Sequence, residues 1–192
     1  MASPKGSTNV DALQALEGLP FAVIGGIATR AYMPERSTKD LDVLVTPRSY
    51  REACARLGRA HWVQTRELIF PNTGLALRGS AWGRGHEAID LITSDGPWVD
   101  TAVLTARPDP VGMRVVDLPY LILMKLDSGR VQDTSDISRM LALADDSDIE
   151  RARDVIRQHG TDSEALRDLD SLLEIGRWEL DDEGPGPRGL ER

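Results

Sequence analysis

With 192 residues, 41% of them hydrophobic, the chain is long enough for one packed domain. A net charge of −8 argues against a general nucleic-acid binder. The single cysteine, Cys54, excludes an intrachain disulfide and suits a reducing compartment, and His61, His86 and His159 lack zinc spacing. No apolar run approaches the ~20 residues of a membrane helix, and Met1 to Thr8 lacks a signal peptide's apolar region. The expectation is a cytoplasmic protein without a membrane partner. The charge is uneven: residues 1–85 carry +4 and residues 86–192 carry −12. A basic first half suits a triphosphate and an RNA acceptor; an arginine-rich solvated surface is the plainer reading.

In chain order, Asn9 to Glu17 has helical spacing and stops at Gly18. Phe21 to Ile24 is an apolar strand running into Gly25-Gly26, and Ile27 to Tyr32 is a short helix. Met33 to Lys39 is a polar turn, and Leu41 to Val45 is a second strand. Thr46-Pro47 opens the next helix as N-cap and first residue, and Gly58 closes it after Leu57. Trp62–Thr65, Leu68–Phe70 and Leu75–Arg78 read as short antiparallel strands. Gly83-Arg84-Gly85 reads as a hairpin turn rather than a phosphate loop, because no helix follows. His86 to Thr93 is a strand, Trp98 to Thr105 a helix, Arg107 to Pro110 a loop, and Met113 to Val116 a strand. Asp117 caps a nearly all-apolar helix from Leu118. Asp136 to Ala144 is helical, and Ser147-x-x-Glu150 and Thr161-x-x-Glu164 read as capping boxes for two last helices. Leu180 to Arg192, rich in Asp, Glu, Gly and Pro, reads as a disordered tail.

The chemistry gathers at Phe21 to Val45. Asp40 and Asp42 sit at i and i+2 of a strand and share a face, about 6–7 Å apart at Cα. Like charges so placed repel unless a cation neutralises them, and hard Mg²⁺ prefers carboxylate oxygens together with phosphates. An exposed polar strand start is the alternative. A Gly-Gly turn opening a helix lets a phosphate approach the backbone. Asp90 lies inside a buried-looking strand, where an unpaired carboxylate is costly. Beside the Asp40–Asp42 strand it becomes a third metal ligand; otherwise it salt-bridges an arginine. Glu87, three residues before it, points to the opposite face. Lys125, the one charge between Leu118 and Leu126, wants an anion: a triphosphate, Asp133 or Asp136.

These residues resemble the nucleotidyltransferase superfamily related to DNA polymerase beta, and more closely its small bacterial abortive-infection toxin branch. The resemblance rests on strand–Gly25-Gly26–helix, on Arg36-x-Thr38-x-Asp40-Leu41-Asp42, and on Asp90. It implies an α/β (α+β) nucleotidyltransferase fold, a small mixed sheet flanked by helices with a C-terminal helical extension. The implied division is a core at 1–117, a helical part at 118–180 and a tail at 181–192. It further implies transfer of a nucleoside monophosphate from an NTP such as ATP, with two Mg²⁺ ions (Mn²⁺ as a substitute) held by Asp40, Asp42 and Asp90. Gly25, Gly26, Arg36, Ser37, Thr38, Lys125, Asp133 and Asp136 would bind nucleotide, with Lys125 also counted catalytic and Asp133 or Asp136 orienting it. Arg130 falls at the family's arginine. Many members carry Ser at the position of Gly26, so here that contact falls to backbone, Ser37 or Thr38. A tRNA or protein acceptor, a cognate antitoxin and a monomer or homodimer follow from the same branch. A small-molecule, antibiotic-type nucleotidyltransferase and a non-catalytic nucleotide- or partner-binding module are the rival readings.

Overall fold

The computed structural model describes residues 10–33, 40–71 and 73–182. They form α1 (Val10–Ala15), β1 (Phe21–Ile24), α2 (Gly25–Tyr32), β2 (Leu41–Val45), α3 (Pro47–Arg59), β3 (Val63–Ile69), β4 (Arg78–Arg84), β5 (Glu87–Thr93), α4 (Trp98–Leu104), β6 (Arg107–Pro108), β7 (Arg114–Val115), α5 (Leu118–Ser128), α6 (Val131–Leu143), α7 (Asp146–His159) and α8 (Ala165–Asp182). The strands make one mixed sheet in the order β3-β4-β5-β2-β1-β7-β6. β2–β5 and β1–β7 are parallel; the other pairs are antiparallel. The architecture is therefore the mixed α/β sheet flanked by helices that the sequence predicts. Among the described residues, no helix is long and apolar enough to cross a membrane.

The alternation of the central strands divides the sheet into two faces. Val43, Leu91 and Ser80 occupy one, and α3 packs there, with a 2.8 Å hydrogen bond between the Tyr50 hydroxyl and Ser80. The half-buried Cys54 of α3 lies over Ser80 as well. The other face carries Asp42 and Asp90. Helix α5 is closed at both ends by its own sequence: the Asp117 carboxylate accepts from the Leu118 N–H, and Gly129 ends it at φ 61°. Every residue from Leu118 to Lys125 is buried, so α5 is a core helix, packed against α7, α6 and α2.

Several boundaries shift for local reasons. Gly25 and Gly26 form the first turn of α2 rather than a turn before it. Gly58 lies inside α3, which closes at Ala60. β3 is one strand, with an irregularity between Gln64 and Arg66 that accounts for its two-piece pattern in the sequence. Leu75 to Leu77 is loop, and the strand is Arg78–Arg84, running through Gly79 and Gly83. The hairpin turn falls at Gly85, φ 62°, as expected. Arg107–Pro108 pairs with Arg114–Val115 where the sequence predicts a loop. α6 begins at Val131, five residues early, so Asp133 is helical. Neither capping box forms. Asp145 caps α7, accepting from the Asp148 N–H at 2.8 Å while Ser147 donates to it. The Thr161 hydroxyl donates instead to Asp127 at 2.9 Å. Leu180 to Asp182 continue α8; the rest of the expected tail lies outside the described residues.

Asp127, at the end of α5, ties three segments together. Its carboxylate accepts from the Gly74 and Leu75 N–H groups and from Thr161. A Cβ on Gly74 would come within 2.2 Å of Thr161, so the loop lies flush on the α7–α8 connection. Asp127→Ala is expected to lower stability by about 1–3 kcal/mol by orphaning those donors. A thermal melt with hydrogen exchange at Gly74 and Leu75 checks it.

Candidate active site

Two carboxylates stand on one face of the sheet, and a third lies just before its central strand. β2 and β5 pair in parallel with Asp42 directly opposite Asp90, and Asp40 precedes Asp42 by two residues. Matched register places Asp42 and Asp90 on one face, about 4.8 Å apart at the backbone. Asp42 also faces Ile24, the last residue of β1, so the carboxylates stand at the mouth of the β1–α2 turn. That turn depends on Gly25. Its φ is 62°, and a Cβ there would fall 2.1 Å from an Asp42 carboxylate oxygen. The helix start and the carboxylate are thus in contact through a missing side chain. The Thr29 hydroxyl donates to the Gly25 carbonyl at 2.9 Å and holds the first turn of α2. Gly25→Ala is expected to cost about 1–3 kcal/mol from backbone strain alone and to push Asp42 off its position. A melt together with a nucleotide-transfer assay checks both.

Electrostatics mark Asp42 as the stressed member. Burial, then the charges of Asp90 and Asp40, push its carboxyl from 3.8 to about 6, against the cationic fields of Arg130 and Lys125. Asp90 is also raised, first by burial and then by Asp40, with Arg66 pulling the other way. Asp40 is exposed. Among the described residues, no three His, Cys, Asp or Glu side chains converge closely enough to form a metal site as they stand. By donor chemistry the trio suits hard cations: oxygen ligands only, partly buried, with mutual repulsion that a divalent ion relieves.

Lys125 is buried, 6% exposed, and its ammonium donates to Asp133 at 2.6 Å and to Asp136 at 2.7 Å. Its partners are therefore the α6 carboxylates, both buried, rather than an open phosphate cradle. Ser128 and Arg130 donate to the second oxygen of Asp133. Burial raises the Asp133 carboxyl, and the hydrogen bonds from Lys125 and Ser128 more than reverse that, holding it below the usual carboxylate range. The cluster braces α5 against α6, and its cations act on Asp42 through space. Gly26 is the second residue of α2. Arg36, Ser37 and Thr38, expected to bind nucleotide, lie outside the described residues. Arg66 is a neighbour that the sequence pattern does not single out. Its signal is an arginine on an edge strand, which acquires meaning only once the sheet order is known.

No family model matches the sequence, and no curated protein does. Solved structures give distant likenesses. JHP933 from Helicobacter pylori is 14% identical, covering 92% of this chain and 91% of that one, with a TM-score of 0.47. The solution structure of the antibiotic-resistance factor ANT(2'')-Ia is 17% identical over 92% and 94% of the two chains, with a TM-score of 0.47. The crystal structure of ANT(2")-Ia in complex with adenylyl-2"-tobramycin is 18% identical over 89% and 95%, again with a TM-score of 0.47. Likenesses this remote leave the chemistry to be read from the site itself.

Proposed function

We propose that this chain is a divalent-metal-dependent nucleotidyltransferase that moves a nucleoside monophosphate from an NTP to an acceptor hydroxyl. The observation that carries the reading is the parallel β2–β5 pairing, which sets Asp42 opposite Asp90 beside Gly25. Asp40, Asp42 and Asp90 would hold the metal. Bound there, divalent ions neutralise phosphate charge and lower the pKa of a hydroxyl. The chain's own groups do the rest. Gly25 lets the triphosphate lie close to the start of α2, whose first N–H groups have no partner within the helix and favour anions. Asp42, with its carboxyl near 6, is ionised at neutral pH but reluctantly so, which suits it to grip a cation. The Lys125–Asp133–Asp136 cluster holds that wall rigid. In the reaction the acceptor oxygen bonds to the α-phosphorus as the bridge to the β-phosphate breaks; pyrophosphate leaves, and the hydroxyl proton passes to solvent.

Incubation with each α-labelled NTP, Mg²⁺ and cell extract tests the reading: label should enter one macromolecular or small-molecule fraction and be absent with Asp42→Asn. Nucleotide binding without pyrophosphate release would instead favour a non-catalytic module. A toxin role with a cognate antitoxin rests on the sequence resemblance alone. A small cationic acceptor is the second reading, favoured by the negative row of Asp40, Asp42 and Asp90, whose charges would attract it.

A further inference from the structure

We propose that the acceptor enters from the β3–β4 side of the carboxylate row and that Arg66 binds a phosphate of that acceptor, which makes an RNA end the acceptor class. This inference rests on the nucleotidyl-transfer reading. Residue pairing crosses the sheet in one row: Arg66 on β3, the first paired residue after the Gln64–Arg66 irregularity, opposite Ala81 on β4, Ala81 opposite Asp90 on β5, Asp90 opposite Asp42 on β2, and Asp42 opposite Ile24 on β1. Residues matched in this way stand on one face. Arg66 therefore shares the carboxylate face, with only the methyl group of Ala81 between it and Asp90. Two strand spacings separate Arg66 from Asp90, about 10 Å at the backbone, a gap that a nucleotide unit and an extended guanidinium can span.

Direction follows from the chemistry. In phosphoryl transfer the attacking and leaving oxygens lie roughly in line on opposite sides of phosphorus. The Gly25 turn, where the triphosphate tail finds helix N–H groups, is at the β1 end of the row. The attacking hydroxyl must then arrive from the other end, past Asp90, where Arg66 stands. Arg66 has its charge available. It is exposed and, among the described residues, makes no ion pair. The two arginines of neighbouring β4 are committed: Arg78 to Asp95 at 2.7 Å, and Arg84 to Asp11 at 2.5 Å and Glu87 at 2.8 Å. The Arg66 field also reaches Asp90, where it opposes the effect of burial. A guanidinium grips phosphate bidentately and repels a polycation. An RNA end supplies what the site asks for, a hydroxyl a few ångströms from a phosphate of its own backbone.

The experiment measures transfer from α-labelled NTP to a short single-stranded RNA with a free 3′ hydroxyl. Arg66→Ala is expected to raise the KM for RNA about tenfold, the scale of one charge-assisted contact, and to leave the KM for NTP unchanged. Arg66→Glu should raise it further, and Arg66→Lys should recover part of the loss, because the charge stays and the fork goes. An unchanged RNA KM in Arg66→Glu, a shift in NTP KM instead, or transfer only to a protein or an aminoglycoside overturns the proposal while leaving nucleotidyl transfer intact. If the wild-type protein labels nothing, nucleotidyl transfer itself fails. Fluorescence anisotropy of the same RNA, labelled, then decides the surface: weaker binding by Arg66→Glu than by wild type keeps the phosphate contact, and equal binding removes it.

Discussion

Asp42→Asn is expected to abolish nucleotide transfer while making the metal-free protein more stable. Both effects have one cause. The Asp42 carboxyl is pushed to about 6 by burial and by the charges of Asp90 and Asp40, so its ionisation works against folding. A group whose folded pKa lies above its unfolded value contributes most below the unfolded value, here near 3.8, and that contribution is lost as pH rises through about 6. Without metal, the wild-type melting temperature should therefore decline between about pH 4 and pH 6 through this group, and the Asn variant should lack that decline. At pH 7.5 the variant should be more stable by about 2 kcal/mol, or roughly 5 °C for a chain of this size. Mg²⁺ should raise the melting temperature of the wild type and not that of Asp42→Asn. Transfer should fall more than about 100-fold, beyond what loss of a mere supporting contact to a metal ligand brings. Differential scanning calorimetry across pH, with and without Mg²⁺, reads the first set and label transfer the last. A variant that melts lower than wild type at pH 7.5 would remove the repulsion argument.

Lys125→Met should have the largest effect on stability. The change leaves Asp133 and Asp136, 3% and 4% exposed, without the ammonium that sits within 2.7 Å of each. Breaking a buried pair by removing one partner costs about 3–5 kcal/mol, because the remaining charge stays desolvated, and for a chain of this size that corresponds to roughly a 10 °C fall in melting temperature. Adding Asp133→Asn to Lys125→Met should restore part of the loss, since a neutral amide is cheaper to bury; strict additivity of the two changes would argue against coupling. Asp133, held low by its donors, contributes stability above the unfolded carboxylate value that fades as pH falls below it. Acid should therefore destabilise the wild type in a range where the double variant responds less.

Local pattern made much of this molecule legible. Phe21–Ile24 and Leu41–Val45 are strands at the residues their apolar runs mark. Thr46 and Asp117 cap the helices they precede, because a short side-chain oxygen can reach the first free N–H groups. Period-two alternation puts Asp42 and Leu44 on one side of β2, but Asp40 lies one residue before that strand, so alternation alone does not fix its side. The places where local pattern misleads share one cause as well. Gly79 and Gly83 look like turn residues, yet they lie within β4 because the strands on either side pair with it along its length. Ser147 and Thr161 have the spacing of caps, but Asp145 caps α7 by accepting from the Asp148 N–H, and the Thr161 hydroxyl donates to Asp127 while Asp162 accepts from the Glu164 N–H.

Short-range chemistry thus dictated where elements start and which residues in each stand together. Long-range pairing settled what those residues face. The stretch from His86 to Thr93 offers Asp90 as a third carboxylate, but only strand pairing puts it opposite Asp42 and sets Arg66 in the same row from an edge strand. Nor does Lys125 declare which of several anions it meets until α6 is laid beside α5. Strand partners and helix neighbours are selected by burial summed over the whole core, a quantity that no single window of sequence contains.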